Sequence, residues 1–260
     1  MKVKPCILTI SASDSSALRG VEADIKTAIK LNTYCTVAIT TVTSQNTQRF
    51  ISKLSLSSSM VYDQIKAAKE DFEIGAVKLG LISNINQAKA VKDAIDQFFK
   101  DVPIILDPVI ASKFGTVLND DETLDFIKEN LFQKASLITP NMSEAEILSG
   151  IEVKNVEDMK KSAKFLQRKY GTSVLITGGA LKGDLKDVFV SERKVFEIKR
   201  LRVDRQAFGL GTTLSTAIAT YLAKGFALEA AVRFGLEYLT MCLVTENFDL
   251  GKNRGAIWHI

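Results

Sequence analysis

The segment Gly209-Leu210-Gly211-Thr212-Thr213-Leu214-Ser215 runs directly into an alanine-rich stretch with helical character. Glycines in front of a helix let the backbone approach a ligand closely. The first turn of a helix also offers free N–H groups at the positive end of its dipole, and this combination binds phosphate. A tight turn without any ligand needs the same glycines, so the segment alone leaves both interpretations open.

A second pattern, Thr139-Pro140-Asn141 with Glu144 three residues later, carries oxygen atoms that suit a metal ion. Pro140 restricts the backbone where a strand is predicted to end, and Asn141 or Ser143 can cap the short helix that follows. In the functional interpretation, Asn141 and Glu144 share one helix face and hold hydrated Mg²⁺ beside phosphates. Capping alone explains the same residues, and both interpretations stay open.

Asp107 ends the apolar run in Val102–Val109, where a carboxylate is unfavourable to bury unless it is paired, acts as a cap or lies near a metal. Lys113 follows in a loop with Gly115 and could reach a phosphate, although an isolated lysine is usually solvated. Asp107 is therefore a candidate metal ligand, with a structural cap as the alternative, and Lys113 is a candidate phosphate contact.

Polar residues also end the first two predicted strands. Asp14 lies in the run Ser13–Ser16, Gly20 and Asp24 follow it closely, and Gln45 ends the second strand. A carboxylate and an amide can together read the hydrogen-bond donors and acceptors of a nitrogen heterocycle. Either residue alone is uninformative.

The elements that must position these residues alternate between strand-like and helix-like patterns. The predicted strands are Cys6–Ser13, Tyr34–Thr43, Ile74–Leu81, Val102–Val109, Ser136–Ile138 and Ser173–Thr177, with a hairpin in Lys186–Val203. The predicted helices are Val21–Leu31, Met60–Phe72 capped by Ser59, Ile85–Phe99, Asp121–Phe132, Glu144–Leu148, Val156–Tyr170, Gly211–Lys224 and Leu228–Thr245. This rhythm predicts an α/β fold with a mostly parallel central sheet, in one domain over residues 1–260. The sequence does not distinguish whether the Ser-rich segment 52–59 forms a lid or a loop.

Composition is ordinary for a globular protein, with 46% apolar and 25% charged residues. The net charge of +4 comes from 34 basic and 30 acidic residues scattered along the chain, which argues against nucleic-acid binding. The three cysteines lie far apart and predict reduced thiols in the cytoplasm. No run approaches the ~20 apolar residues of a membrane helix. His259 is expected to be an exposed tail residue.

In their order and spacing, seven segments over roughly residues 6–225 resemble the hydroxymethylpyrimidine and phosphomethylpyrimidine kinases of thiamin biosynthesis, in the ribokinase-like superfamily. The segments are LTISASDSS with GVEADIKT, AITTVTSQNT, AVKLGLIS, ILDPVIASKFG, LITPNMSEAEIL, VLITGGAL and GLGTTLSTAIA. The resemblance implies a ribokinase-like sheet flanked by helices on both faces, with ATP and Mg²⁺ as cofactors. It also implies that a hydroxymethylpyrimidine or its monophosphate is the substrate and that the protein is a homodimer.

The resemblance further implies roles for individual residues. Asp24 and Gln45 would face the pyrimidine, with Asp14, Arg19 and Gly20 beside it. The nucleotide would lie over Gly209-Leu210-Gly211-Thr212 and be bordered by Thr177-Gly178-Gly179. Asn141, Glu144 and Asp107 would serve Mg²⁺, and Lys113 matches the lysine of the family segment A-K-S-G. Gly209, Gly211, Thr212 and Lys113 would form the catalytic group.

Two departures from the family pattern fall inside this presumed site. Thr212 stands where the family has Cys and the superfamily has Asp, and a threonine hydroxyl is no base near pH 7. Ala17-Leu18-Arg19 replaces the small residues of S-G-G-A-G. Arg19 could point to solvent, reach a substrate phosphate or block the pocket. At three further places the family has a histidine that this chain lacks: this chain has Phe208, Ala180 and the segment Asn253-Arg254-Gly255 there.

These observations leave three hypotheses about the function of the protein. The first is the pyrimidine kinase itself, slowed by Thr212. The second is a non-catalytic pyrimidine-binding or regulatory protein, which Thr212 and the filled loop favour. The third is a kinase of the same fold that acts on a pyridoxal-like ring, supported only by the altered loop.

Overall fold

The computed structural model describes residues 4–111, 115–116, 118–203, 207–244, 250–253 and 255–259 of the chain. Its strands are β1 (Cys6–Asp14), β2 (Tyr34–Gln45), β3 (Phe50–Ser55), β4 (Ala76–Leu79), β5 (Ile104–Leu106), β6 (Leu137–Ile138), β7 (Ser173–Ile176), β8 (Leu185–Val190) and β9 (Val195–Arg200). Its helices are α1 (Gly20–Lys30), α2 (Ser58–Asp71), α3 (Ile85–Phe98), α4 (Asp121–Asn130), α5 (Met142–Ser149), α6 (Val156–Tyr170), α7 (Leu210–Ala223) and α8 (Leu228–Val244), with a short 3₁₀ turn at Phe132–Lys134.

The described strands form one sheet in the order β3-β2-β1-β4-β5-β6-β7-β8-β9. Strands β2, β1, β4, β5, β6 and β7 are parallel, whereas β3, β8 and β9 pair antiparallel at the two edges. The strand order reverses beside β1, because the chain continues to β2 on one side and to β4 on the other. In open α/β sheets a ligand crevice forms at such a switch, outside the carboxyl ends of the strands. Asp14, the last residue of β1, lies at this edge.

Both faces of the sheet are covered by helices. Leu8 and Ile10 of β1 belong to a buried cluster with residues of α2 to α6, whereas Ile7 packs with residues of α1, α7 and α8. Strand β5 is buried at every residue, as expected for a strand covered on both faces. None of the described helices combines the length and apolar composition needed to cross a bilayer. The predicted fold class is confirmed.

The predicted strands and helices occur in the predicted order, with ends that differ by a few residues. The hairpin predicted within Lys186–Val203 corresponds to β8 and β9. Strand β3 was missed: five of its six residues are exposed, so it lacks the apolar pattern of a strand. The prediction of Ser59 as a cap was wrong, because Ser57 accepts the Met60 N–H bond at 3.2 Å and the helix begins at Ser58. The Ser-rich segment is thus divided between β3 and the start of α2.

A buried ion pair joins the middle of the sheet to two helices. Lys78 of β4 lies 3.0 Å from Asp24 of α1, and the two side chains are 1% and 0% exposed. The Asp24 carboxylate also accepts hydrogen bonds from the hydroxyls of Thr9 in β1 and Thr216 in α7. Buried charges are tolerated when they are paired and hydrogen-bonded in this way. The cluster therefore holds four elements together below the carboxyl edge.

Replacing Lys78 by methionine is expected to lower the free energy of unfolding by about 3–5 kcal/mol, because it leaves the buried Asp24 carboxylate unpaired. Adding Asp24→Asn should restore most of that loss, since the neutral amide accepts from one threonine hydroxyl through its oxygen and can donate to the other through its NH₂ group. Lys66→Met is the matched control, as Lys66 pairs with Glu70 on an exposed helix surface and should change stability by less than about 0.5 kcal/mol. Chemical denaturation measures all three; a Lys78→Met protein as stable as the control contradicts this interpretation.

Candidate active site

The N-terminus of α7 is shaped by a close backbone approach. Gly209 caps this helix with φ of +75°, a left-handed conformation that favours glycine. A Cβ atom at this position would lie 2.0 Å from the carbonyl oxygen of Leu18, so a side chain is excluded by space as well. The cap supplies no side chain to bond the N–H groups of the first turn, which have no partner within the helix. The first-turn N–H groups of α7 therefore have no side-chain cap, which is compatible with the predicted anion loop.

A cavity of about 280 Å³ opens beside this helix end. Thr177, Gly179, Leu210 and Gly211 are among its lining residues, and all four were predicted to contact a nucleotide. The N–H group of Gly178 instead donates to Asp187 at 2.9 Å. The structure thus brings the end of β7 and the start of α7 together around one space.

Arg200 and Asp187 form an ion pair that supports the same cavity and was not predicted. The guanidinium donates to both oxygens of Asp187, which is fully buried. Asp187 in turn fixes the Gly178 N–H group, and Arg200 lines the cavity. The ion pair joins β8 to β9, so predicting it requires knowing how these strands pair, which local sequence spacing does not show.

The predicted metal ligands lie on the other side of the anion loop. Asn141 caps α5 and forms a reciprocal capping box with Glu144, in which each side chain accepts the other residue's N–H at 2.9 Å. Asn141 also forms a parallel bridge with Thr177, which links these residues to the nucleotide cavity. Asp107 is buried, and a Cβ atom on Gly211 would lie 3.5 Å from its Oδ2 atom.

Two carboxylates in this region have raised pKa values. Burial raises the pKa of Glu144 well above its usual range, and the neighbouring Asp107 charge raises it further. Burial also raises the pKa of Asp107, against the lowering effect of Lys78. Among the described residues there is no cluster of three or more acidic, histidine or cysteine side chains that could hold a metal ion. The structure therefore places two carboxyl groups near each other, and burial disfavours the charged form of both.

On the acceptor side, Asp14 and Gln45 meet at the ends of β1 and β2. Asp14 Oδ1 accepts from the N–H and hydroxyl groups of Ser16 at 2.8 and 2.7 Å, which fixes the turn after β1. Gln45 donates to Thr43 at 3.0 Å and accepts from Arg19 at 3.1 Å. Ala17 takes a φ of +54° in this turn, a conformation that the family's glycines adopt without strain.

Asp24 lies away from this surface. Its carboxylate is fully enclosed by Thr9, Lys78 and Thr216, as described above. It therefore joins α1 to the sheet and to α7, and its predicted contact with a pyrimidine stays a prediction. Gly20 begins α1 with φ of +63°, and its backbone packs against Ala12.

Lys78 is the residue of this region that sequence reasoning missed, although a signal was present. Lys78 is a charged residue inside the apolar strand Ala76–Leu79. Asp107 was selected because it is a charged residue in an apolar strand, and the same reasoning applies to Lys78. Thr212 lies in the first turn of α7 and is partly buried. Lys113 and Arg254 lie outside the described residues.

The C-terminal segment 255–259 packs under the anion loop. The N–H group of Phe208 donates to the carbonyl of Gly255 at 2.8 Å, and His259 Nε2 lies 3.0 Å from the Thr213 hydroxyl. The expectation that His259 is exposed was wrong: it is 4% exposed, and burial lowers its pKa to about 4. Its neutral ring is held by tertiary packing, which a position near the chain end does not reveal.

A larger cavity, of about 940 Å³, lies between the outer face of α1 and the C-terminal segment. Ile25, Ile29 and Trp258 contribute to its mostly apolar lining. None of the predicted site residues lines it. Size alone therefore does not identify the reacting region, whose polar groups converge at the carboxyl edge of the sheet.

Comparison with known proteins gives matches over nearly the whole chain. The family model described as phosphomethylpyrimidine kinase matches residues 14–258. A hydroxymethylpyrimidine/phosphomethylpyrimidine kinase of Streptomyces coelicolor is 32% identical over 256 residues, which cover 98% of this chain and 94% of that protein. A bifunctional thiamine biosynthesis protein of Geobacter sulfurreducens is also 32% identical, and the match covers 98% of this chain but 52% of that protein. The chain thus spans about half the length of such bifunctional relatives.

Two solved structures share the fold. A phosphomethylpyrimidine kinase from Clostridium difficile 630 has a TM-score of 0.81 and 33% identity, covering 92% of this chain and 99% of that one. An ADP complex of Bacillus subtilis pyridoxal kinase has a TM-score of 0.89 and 28% identity, covering 99% and 98%. Because the family model matches most of the chain, including strands β2 to β9 and the anion loop, the chain belongs to the phosphomethylpyrimidine kinase family.

Proposed function

We propose that this protein transfers the γ-phosphoryl group of ATP to 4-amino-5-hydroxymethyl-2-methylpyrimidine and to its monophosphate. The observation that carries this proposal is the glycine-capped N-terminus of α7, which lies between the cavity of about 280 Å³ and the Asp107 carboxylate. Phosphoryl transfer depends mainly on positioning and on charge stabilisation, and this arrangement supplies both. The names of the relatives support the choice of substrate.

ATP is the proposed donor. The ADP complex of the pyridoxal kinase with a TM-score of 0.89 supports a nucleotide in this fold. The cavity beside Thr177, Gly179 and Gly211 would take the nucleotide, with its phosphates on the first-turn N–H groups of α7. The acceptor is proposed to lie at Gln45, which Arg19 links to the anion loop by contacting Gln45 and adjoining Gly209.

Magnesium fits the residues present. Asp107 and Glu144 are hard oxygen donors whose raised pKa values reflect burial and, at Glu144, repulsion by the Asp107 charge. Mg²⁺ binds through one or two carboxylates and keeps waters and substrate phosphates as its other ligands, so two carboxylates suffice. When bound, Mg²⁺ would neutralise charge on the transferred phosphates. The side chains of Asp107 and Glu144 would orient it, directly or through water, with Asn141 fixing Glu144.

Thr212 leaves the reaction without a side-chain base at the usual position. Its hydroxyl does not ionise near pH 7, while the anion loop depends only on backbone N–H groups and is preserved. We therefore infer that transfer to the alcohol is slow rather than absent. Lys113 keeps its proposed phosphate contact on the resemblance alone.

A homodimer is proposed on the same resemblance, and a cytoplasmic location is proposed on the widely spaced cysteines. The exposed apolar side chains Val42, Ile51 and Leu54 on β2 and β3, 46%, 58% and 68% exposed, support self-association through this edge of the sheet. Sedimentation of the purified chain measures the assembly state, and a monomer at micromolar concentration would exclude the dimer.

The test of the proposed function is turnover by the purified chain with ATP and Mg²⁺. The acceptors are hydroxymethylpyrimidine, its monophosphate and pyridoxal, and both ADP and phosphorylated product are followed. The proposal expects product from at least one pyrimidine. Turnover of pyridoxal alone would assign the chain to the activity of its structural neighbour. Pyrimidine binding by calorimetry without any turnover would identify a non-catalytic binding protein.

Glu144→Gln is expected to raise the melting temperature of the ligand-free protein at pH 8 by about 2 °C or more. A carboxyl with a raised folded-state pKa holds its proton more tightly when folded, so its ionisation favours unfolding between pH ~4.3 and the raised value. Glutamine removes that effect and keeps an oxygen for the capping box. The gain should vanish near pH 4, where the carboxyl is protonated in both states.

Glu129→Gln, on an exposed surface of α4, is the control for this measurement and should change little at either pH. Mg²⁺ with ADP should stabilise wild type more than Glu144→Gln. Equal melting temperatures at pH 8, or equal stabilisation by Mg²⁺ and ADP, would argue against the proposed metal role of Glu144.

Thr212→Asp is expected to raise kcat with the hydroxymethyl acceptor by about 10-fold or more, because general bases contribute ~10²–10⁴-fold. Thr212→Cys should give a smaller gain. Thr240→Cys, at another partly buried helix position in α8, controls for a general effect of cysteine. Rates that stay at the wild-type level in both Thr212 variants mean that a missing base does not limit the reaction.

A further inference from the structure

Arg19 lies between the two halves of the proposed site. It precedes α1 as the capping residue, with extended backbone angles and no side-chain bond to the helix. Its side chain is 20% exposed and turns toward the acceptor side. The Cα atom of Arg19 is 3.8 Å from where a Cβ atom on Gly209 would lie, so the residue also adjoins the anion loop.

Among the contacts of the Arg19 guanidinium group are three that a ligand in the acceptor site would replace or disturb. Nη1 donates to Gln45 Oε1 at 3.1 Å, and Cζ lies 4.7 Å from the centre of the Phe208 ring. Nη1 also lies 3.7 Å from Asp14 Oδ2, longer than a hydrogen bond. A flat N–C–N group that stacks on an aromatic ring and donates to the Gln45 amide resembles the amino edge of a pyrimidine.

Charge decides which ligands can displace this group. Burial lowers the pKa of Arg19 and the Asp14 charge raises it, and a guanidinium stays protonated at neutral pH. A neutral pyrimidine that bound to Gln45 and Phe208 would displace the Arg19 guanidinium from both residues. It would offer this partly buried cation no negatively charged group in exchange. A pyrimidine with a phosphate group offers the cation a new partner beside the anion loop.

Thr212 points independently to the same acceptor. Transfer to an alcohol requires that the hydroxyl proton be removed, and this position holds no base. A phosphate monoester has a second pKa near 6 and is mostly a dianion at neutral pH. Its oxygen can bond to the γ-phosphorus while the bond from that phosphorus to the bridging β,γ oxygen breaks. ADP leaves with the electron pair, and no proton has to be removed from the acceptor.

We propose that Arg19 makes this site select a phosphorylated pyrimidine over the neutral hydroxymethyl compound, so that the second phosphorylation is the chain's principal reaction. This inference rests on the proposed function and names its substrate class, a heterocyclic phosphate monoester. Arg19 is a specificity-determining residue here, and it acts by competing for Gln45 when no anion is present and by pairing with the substrate phosphate when one is.

The test compares kcat/KM for the monophosphate and for the alcohol in wild type, Arg19→Ala and Arg19→Lys. Wild type should prefer the monophosphate, and Arg19→Ala should reduce that preference by about 10- to 100-fold, the range of a charge-assisted hydrogen bond. In Arg19→Ala, KM should rise for the monophosphate and fall for the alcohol. Arg19→Lys, which keeps the charge but not the flat donor group, should restore part of the preference.

Arg233→Ala is the matched control, because Arg233 stacks on Phe196 at 4.5 Å outside the proposed site. It should leave the preference unchanged, and melting curves check that each variant folds. A wild-type preference for the alcohol, or a preference that Arg19→Ala does not alter, overturns the inference while the proposed function stands. If neither pyrimidine is bound or turned over by wild type, both fail together. If the pyrimidines bind without turnover, the claim about the principal reaction is overturned together with the proposed function.

Discussion

The carbonyl of Leu18 and the backbone of Gly209 touch at the centre of the carboxyl edge, and the arrangement of the site depends on this contact. It is possible only because Gly209 has no side chain and adopts a left-handed conformation. The contact joins the turn after β1 to the start of α7, although the two are almost two hundred residues apart in the chain. It thereby sets the acceptor residues against the helix end that is proposed to hold phosphates.

The charged side chains around this contact fall into two neighbouring groups. Asp107 lies beside Gly211 and near Glu144, and burial raises both carboxyl pKa values. Below them, Lys78 and Asp24 form a buried pair that is locally neutral and holds the elements in place. The fold therefore places a paired, structural charge cluster next to an incompletely compensated cluster of buried carboxyl groups. The second cluster is where a cation and phosphates would lower the free energy most.

Much of this organisation could be predicted from the sequence, because it follows from local rules. The spacing of Gly209, Gly211 and the helix after them predicts an anion loop, and alternation predicts a parallel sheet with ligands at its carboxyl edge. Asn141 and Glu144 could be predicted as a pair, since the capping box and the metal interpretation use the same i, i+3 spacing. In each case the residues that matter are neighbours in sequence.

What could not be predicted depends on contacts between distant segments. Strand β3 is exposed and pairs only with the edge of β2, so its residues carry no apolar alternation. His259 is buried because it contacts Thr213, and Arg19 meets Gln45 and Phe208 only after α1 and α7 have packed. The pattern departures at Thr212 and Arg19 were visible from the start. That the two departures favour the same substrate could be inferred only from the structure, which places the Arg19 cation beside the anion loop.

The central claim is that the backbone N–H groups at the start of α7 bind the phosphates of the nucleotide. Amide NMR of the isotopically labelled chain, titrated with Mg²⁺ and a non-hydrolysable ATP analogue, tests it directly. The account expects the largest downfield shifts at the amides of Gly211 and Thr212, with smaller changes at Thr177 and Gly179. If the analogue binds while the amides of Gly211 and Thr212 keep their ligand-free positions, the account is contradicted.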